Sequence, residues 1–453
     1  MRRARWLVIV AAVLVASSSI ASAAPRVEGR ACSRVGQARV VAAVRYRCAN
    51  TPRGRRWVRA AAPTESYSAP TSAAHDPEAC KLPDRSEQRR RWGGIFSAFP
   101  QLTGNLERAG TFRVAMIPID WADTPGTDDP LARVRDQMTA FSEWHDVVSE
   151  GRVRFEWVSV PTYVRLPGTA SSWAQGRSGP NDELARAALA AADPLVDFTG
   201  VRSVFFVVPV GQRAFGESVQ AMYRLNLMSP LSTAEGPVYN YSLAGAYFER
   251  PGRTIWSYWA HETGHAFLLP DLYEQRGNWG EAQLAIPIGP FSGFDMMSSQ
   301  DGPSRTLSAW LRWIMEWLPE GRVLCVPRER VGTLSGMLVP IDSRDAGVKT
   351  IMIPVSETRL VAIESRRPTR FDCPTQANRR GVIVYTVDTT LGHGDGMQAL
   401  VAPAGRGLVE EFGCGSPPQL NAVLGAGDAV SVEGVTVSVS RVGAYDTIRV
   451  TTP

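Results

Sequence analysis

The chain has 453 residues, 44% hydrophobic and 21% charged: enough apolar content for sizeable cores, and more length than one domain usually takes. Its 49 Lys+Arg against 44 Asp+Glu give a net charge of +5; without Arg2, Arg3 and Arg5 of an N-terminal leader, 46 remain against 44, or +2. No dense basic stripe is left, which argues against nucleic acid as a partner.

Residues 1–23 read as an export signal. Arg2, Arg3 and Arg5 give the basic start, residues 6–16 an apolar run, and Ala21-Ser22-Ala23 a small-residue cleavage site. The run is shorter than a membrane span requires, and no comparable stretch follows. The expectation is a secreted, extracellular protein, monomeric and without stable membrane insertion. Six cysteines in an exported chain favour three disulfides. Cys32 with Cys48 is the favoured local pair and Cys373 with Cys414 the next, which leaves Cys80 with Cys325. A competing arrangement keeps Cys80 free to cap a metal as a latency device.

Residues 24–59 read as a small Cys-pair β module, with short strands around Tyr46-Arg47-Cys48 and Arg56-Trp57-Val58. Residues 60–92, rich in Pro, Ser, Ala and charge, read as a linker or removable prosegment. The main domain is expected over 93–320. It starts with a buried strand at 112–121, a helix at 131–148 and an alternating strand at 153–158. An alanine-rich helix follows at 181–192, capped by Asn181 or Asp182, and then a strand at 204–210. Strands alternating with helices predict an α/β lobe. A strand at 238–243, just ahead of the next helix, is placed nearest a cleft, where an open edge would take an extended peptide through main-chain hydrogen bonds.

The sequence is organised around His261-Glu262-Thr263-Gly264-His265. An apolar approach, residues 256–260, starts a helix on which the two histidines lie four apart and so share a face. Two imidazoles there suit one borderline-soft divalent ion, best matched by Zn²⁺. Glu262 stands where it can take a proton from a water held by that ion. The helix is expected to break near Leu269-Pro270. The turn would return Asp271 as third ligand, leaving one tetrahedral position open, the catalytic rather than the structural arrangement. Five histidines in the whole chain make this spacing hard to obtain by accident.

Gly293-Phe294-Asp295-Met296-Met297-Ser298-Ser299 then reads as a tight turn whose methionine gives the histidines a soft apolar floor. Residues 307–318 predict an amphipathic helix with Trp310, Trp313 and Trp317 as core packing. From 321 to 453 short strands at 331–340, 349–354, 358–364, 381–387, 429–440 and 447–450 predict a smaller all-β domain.

The His261–His265 core, Leu269-Pro270-Asp271-Leu272-Tyr273, the Asp295-Met296-Met297 turn, Leu307-Ser308-Ala309-Trp310, Glu364 and residues 381–388 together resemble the M6-like, immune inhibitor A-type metallopeptidases of secreted bacterial origin. That resemblance, over about residues 110–390, implies an α/β zincin-like (metzincin-type) catalytic domain carrying HExxH on a helix, followed by a smaller all-β domain. It implies a secreted zinc endopeptidase, often a zymogen, acting on protein or peptide substrates, with His261, His265 and Asp271 as metal ligands and Glu262 as general base. Zn²⁺ is the implied cofactor, with structural Ca²⁺ in some members. One position departs from the pattern: Leu268 stands where the family has a glycine, and leucine resists the positive φ of a sharp reversal. Either Pro270 redirects the chain, or Asp271 does not reach the metal and Glu274 or Glu281 stands in reserve. Tyr258 and Tyr273 are the candidates for a second electrophile. Two rival functions remain: a catalytically silent zincin that binds proteins or cell-surface polymers, and a metal-dependent hydrolase of a non-peptide amide.

Overall fold

The computed structural model describes residues 27, 29–33, 37–41, 44–59, 66–87, 94–174, 181–215, 231–274, 291–373, 380–406 and 422–453. The expected leader, Glu281 and Cys414 lie outside them. Contacts divide the chain into two compact units, Met1–Ser66 and Tyr67–Pro453.

The first unit is an antiparallel meander of β1 (Ala38–Val41), β2 (Val44–Thr51) and β3 (Gly54–Arg59). Cys32–Cys48 is bridged, and Val27, Cys48 and Trp57 form a core too small to dispense with that staple.

In the second unit the chain runs through β4 (Gly110–Asp120), α1 (Pro130–Val148), β5 (Val153–Ser159), β6 (Val164–Arg165), α2 (Ala170–Trp173), α3 (Asp182–Ala192) and β7 (Val201–Val207). A short hairpin, β8 (Leu231–Ser232) and β9 (Pro237–Val238), leads to β10 (Asn240–Ala244). Next come α4 (Ile255–Ala266) and α5 (Ala309–Ile314). The strands β11 (Val323–Cys325), β12 (Thr333–Leu338), β13 (Thr350–Pro354), β14 (Arg359–Arg366), β15 (Gly381–Asp388), β16 (Gln398–Leu400), β17 (Ala429–Val432), β18 (Val435–Val442) and β19 (Asp446–Thr451) complete it.

A parallel sheet in the order β10-β7-β4-β5, with β6 added beside β4, forms the first layer. Period-two alternation assigns its faces. Phe112, Val114 and Met116 of β4 and Phe205 and Val207 of β7 point into one core with α1 and α4, while Ala115, Ile117, Ile119, Val204 and Phe206 point into a second with α3. Asn181 caps α3, its side chain accepting from the Leu184 amide.

The second sheet, β11-β13-β14-β15-β16, is likewise covered on both sides. Met352, Leu360, Ala362, Ile383 and Tyr385 join the core that holds α4 and α5; Ile351, Ile353, Val361, Ile363 and Val384 meet the third sheet, β12-β19-β18-β17. The helical core therefore runs across residue 321 into the β-rich part. A mixed α/β unit results, with α4 held between two sheets.

The described part of the stretch read as linker or prosegment packs against this unit. Cys80 is fully buried and bridged to Cys325, so no thiol is available there to cap a metal. Cys373 is disulfide-bonded as well, and its expected partner Cys414 is among the undescribed residues. The tryptophan helix is shorter than its periodicity predicts, because Glu316 at φ 58° ends it. The three tryptophans are core as expected, and each indole N–H donates to a carbonyl of the preceding segments: Trp310 to Ser97 at 2.9 Å, Trp313 to Cys80 at 3.2 Å and Trp317 to Arg108 at 2.7 Å. Among the described residues no helix is long and apolar enough to cross a membrane.

Candidate metal centre

Helix α4 is buried over nearly its whole length, with Ile255 and Glu262 the partly exposed positions. Trp259 packs on Phe205 at 5.0 Å and Trp157 at 5.7 Å between ring centroids, which fixes its rotation against the first sheet. That leaves His261 and His265 on the face toward residues 291–299. Gly264 has a packing reason: a Cβ there would stand 2.5 Å from Met297 Sδ.

The helix ends at Ala266, three residues sooner than the proline predicts. Phe267 is the cap, Leu268 takes the left-handed conformation at φ 68°, and two reverse hydrogen bonds close the end. Leu269 N donates to Gly264 O at 2.9 Å and Leu268 N to His265 O at 2.8 Å, a Schellman cap. Leucine therefore adopts the conformation that glycine would supply, and the chain reverses without redirection by Pro270. Phe96 N donates to Leu268 O at 3.2 Å, and Leu268 is buried, so packing holds the strained residue in place.

This reversal brings Asp271 back under the helix. Its Oδ1 lies 3.1 Å from His261 Nε2 and 3.3 Å from His265 Nε2, and all three side chains are buried. One donor atom from each lies within 4.8 Å of the others, the one such group among the described residues. The outer nitrogens set the tautomers. His261 Nδ1 is 2.9 Å from Met296 O, and His265 Nδ1 is 2.9 Å from Leu269 O. Carbonyls only accept, so both Nδ1 atoms carry hydrogen, and the Nε2 atoms are the ones turned toward the carboxylate.

Three electron-rich atoms converging in a buried site need a positive charge between them. Protons answer that need when no ion does. Burial alone would lower His261, but the Asp271 carboxylate outweighs it and raises the imidazole to about 9. His265 is raised for the same reason, and the imidazoles hold Asp271 well below the usual carboxylate range against its own burial. The donor set, two imidazole nitrogens and a carboxylate oxygen with carbonyl-oriented rings, fits a divalent ion.

Glu262 sits beside the first histidine. Burial pushes its carboxyl above the usual range, with His261 and His265 pulling the other way. Its Oε2 has no hydrogen-bond partner among the described residues. The carboxylate lines a small pocket, bounded by Ser203, Asn240, Ser242 and Thr263, between α4 and strands β7 and β10. The strand expected beside the cleft is thus present as β10, although its five residues are all buried.

The two methionines of the turn have different parts. Met297 supplies the apolar floor, under Gly264, while Met296 contributes its carbonyl to His261. Asp295 ties the turn by accepting from the Met297 and Ser308 amides, and burial raises it to about 6. Of the reserve ligands, Glu274 bridges to Asp395 by its backbone and is not in the cluster, and Glu281 is not described. Tyr258 is fully buried against Phe248, ring centroids 4.6 Å apart, a packing position.

Sequence reasoning missed His393. It lies in the loop after β15, its Nδ1 3.0 Å from the Asp271 amide and its ring centroid 5.5 Å from that of His265. Its scarcity as one of five histidines, set among glycines in Gly392-His393-Gly394, was the available signal. No family model matches this chain. No curated protein matches it either.

Proposed function

We propose that this chain is a secreted, zinc-dependent endopeptidase with a zincin-type active site of the M6-like, immune inhibitor A kind. The convergence of His261 Nε2, His265 Nε2 and Asp271 Oδ1 beside a buried Glu262 carboxylate carries the reading. These three residues would hold the ion. When bound, it supplies Lewis acidity, making water a stronger acid and a peptide carbonyl more electrophilic.

The chain's own residues do the rest. His261 and His265 are kept in one tautomer by Met296 O and Leu269 O, so their Nε2 atoms are ready to bind without reorganisation. Glu262 is raised by burial toward the range of a working general base. Its carboxylate takes the proton of the attacking water and returns it to the nitrogen of the departing amine. The pocket between Glu262 and β10 is small, about enough for one water beside that carboxylate.

Glu262→Gln tests this. The variant should retain about one zinc per chain, measured by elemental analysis after dialysis against a weak chelator, and lose casein hydrolysis by at least ~100-fold. Wild-type activity in the variant would reject Glu262 as the base. Bound zinc without turnover in the wild-type protein would favour the silent, binding zincin instead, and cleavage of non-peptide amides alone the third reading.

A further inference from the structure

We propose that His393 is a positioning residue for Asp271, gripping it at both its main chain and its side chain and so fixing which carboxylate oxygen faces the histidine pair. The inference rests on the reading of the triad as a metal site, not on peptidase activity.

Four contacts carry it. His393 Nδ1 lies 3.0 Å from the Asp271 amide nitrogen. An amide N–H only donates, so Nδ1 bears the lone pair and Nε2 carries the ring hydrogen. That Nε2 stands 3.5 Å from Asp271 Oδ2, while Oδ1 is the oxygen facing His261 and His265. At that separation the contact orients the carboxylate electrostatically rather than as a short hydrogen bond. Gly394 N donates to Asp271 O at 3.0 Å, and Asp395 bridges Glu274. The loop after β15 thus forms a clasp on residues 271–274.

A clasp is needed at this point. Asp271 comes just after a left-handed leucine and a proline, outside any helix or strand. His393 itself is buried, and its loop is anchored by β15 in the second sheet. The β-rich part of the unit therefore completes the site's third arm. His393 is not a member of the close donor group, which separates a positioner from a fourth ligand.

The test uses the full-length chain with Zn²⁺ and Co²⁺, each measured by competition with a chromophoric chelator. His393→Ala should weaken both metals by about 10–100-fold, the usual effect of removing a residue that orients a ligand. The Co²⁺ visible bands should keep their tetrahedral intensity, because no ligand is lost. His393→Gln should recover most of the affinity, since one amide offers both an acceptor and a donor. Should the alanine variant fail to fold, His393→Leu fills the volume without polar atoms and carries the same comparison with glutamine.

Affinity in the alanine or leucine variant equal to wild type would overturn the proposal, as would absorption showing one nitrogen ligand fewer. A wild-type protein that retains no ion removes the metal reading and this inference with it. Zinc without turnover removes only the peptidase reading and leaves the His393 comparison intact.

Discussion

Leu268 offers the most direct test of how the third arm of the site is made. Its φ of 68° lies where L-residues are disfavoured by about 1–2 kcal/mol. Its side chain is 5% exposed and packs over Gly104 and Gly94. Truncation to alanine removes that packing and keeps the strain, for a loss of about 2–5 kcal/mol. Glycine loses the same packing but relieves the strain, offset by about 0.5–1 kcal/mol of extra unfolded-chain entropy. Leu268→Gly should therefore be more stable than Leu268→Ala by roughly 0.5–1 kcal/mol, with both below wild type. Urea unfolding of zinc-free protein measures this without a contribution from metal linkage. The glycine variant should also bind zinc within a few-fold of wild type, because the Schellman cap tolerates it. An alanine variant as stable as the glycine one would refute the claim that the leucine is strained. Loss of zinc binding in the glycine variant would refute the claim that backbone conformation, rather than leucine itself, returns Asp271.

Other consequences follow from single contacts. His145 is buried with its ring 4.3 Å from Phe141 and 4.7 Å from Phe155, and burial lowers it to about 3 from 6.5. Its folded pKa lies below the unfolded one, so its contribution is full above pH 6.5 and is lost as pH falls toward 3, by about 1.4 kcal/mol per pH unit. His145→Gln should flatten the acid limb of stability by one proton's slope in urea titrations between pH 6.5 and 5; parallel limbs would reject the assignment. Gly264→Ala should destabilise by about 1–3 kcal/mol through its clash with Met297 Sδ, and Met297→Ala in the same chain should recover part of the loss. Additive losses in that double-mutant cycle would show that the two do not meet. Replacing Cys80 and Cys325 by serine should lower stability by about 2–5 kcal/mol in thermal unfolding and leave zinc affinity unchanged. A rise in zinc affinity would restore the latency idea.

The sequence by itself determined the elements whose signals are local. Period-two and helical patterns marked β4, α1, β5 and α3 within a few residues, and the four-residue histidine spacing marked α4 as the helix that matters. Asn181 as one of two candidate caps and Cys32–Cys48 as a local pair were legible from short-range chemistry, while Cys80–Cys325 was only what the other pairings left over, beside a rival free Cys80. Where local rules misjudged, packing had decided. Pro270 predicts a later end for α4, but the helix stops at Ala266 and the chain reverses at Leu268, whose unfavourable φ is held by burial and by the Phe96 amide. Helix α5 stops short of its tryptophan periodicity where Glu316 takes a positive φ, while the indoles bind carbonyls far away in the chain. His393 could not be placed from sequence, since its contact with Asp271 spans 122 positions and depends on how the second sheet sits against α4. Residue types and spacings thus named the histidines and the glutamate, which lie on one helix, and offered Asp271 as third ligand with Glu274 and Glu281 in reserve. Only the tertiary structure brought the aspartate, its clasp and the two orienting carbonyls to them, because those positions are set by strained backbone and long-range packing that no local pattern encodes.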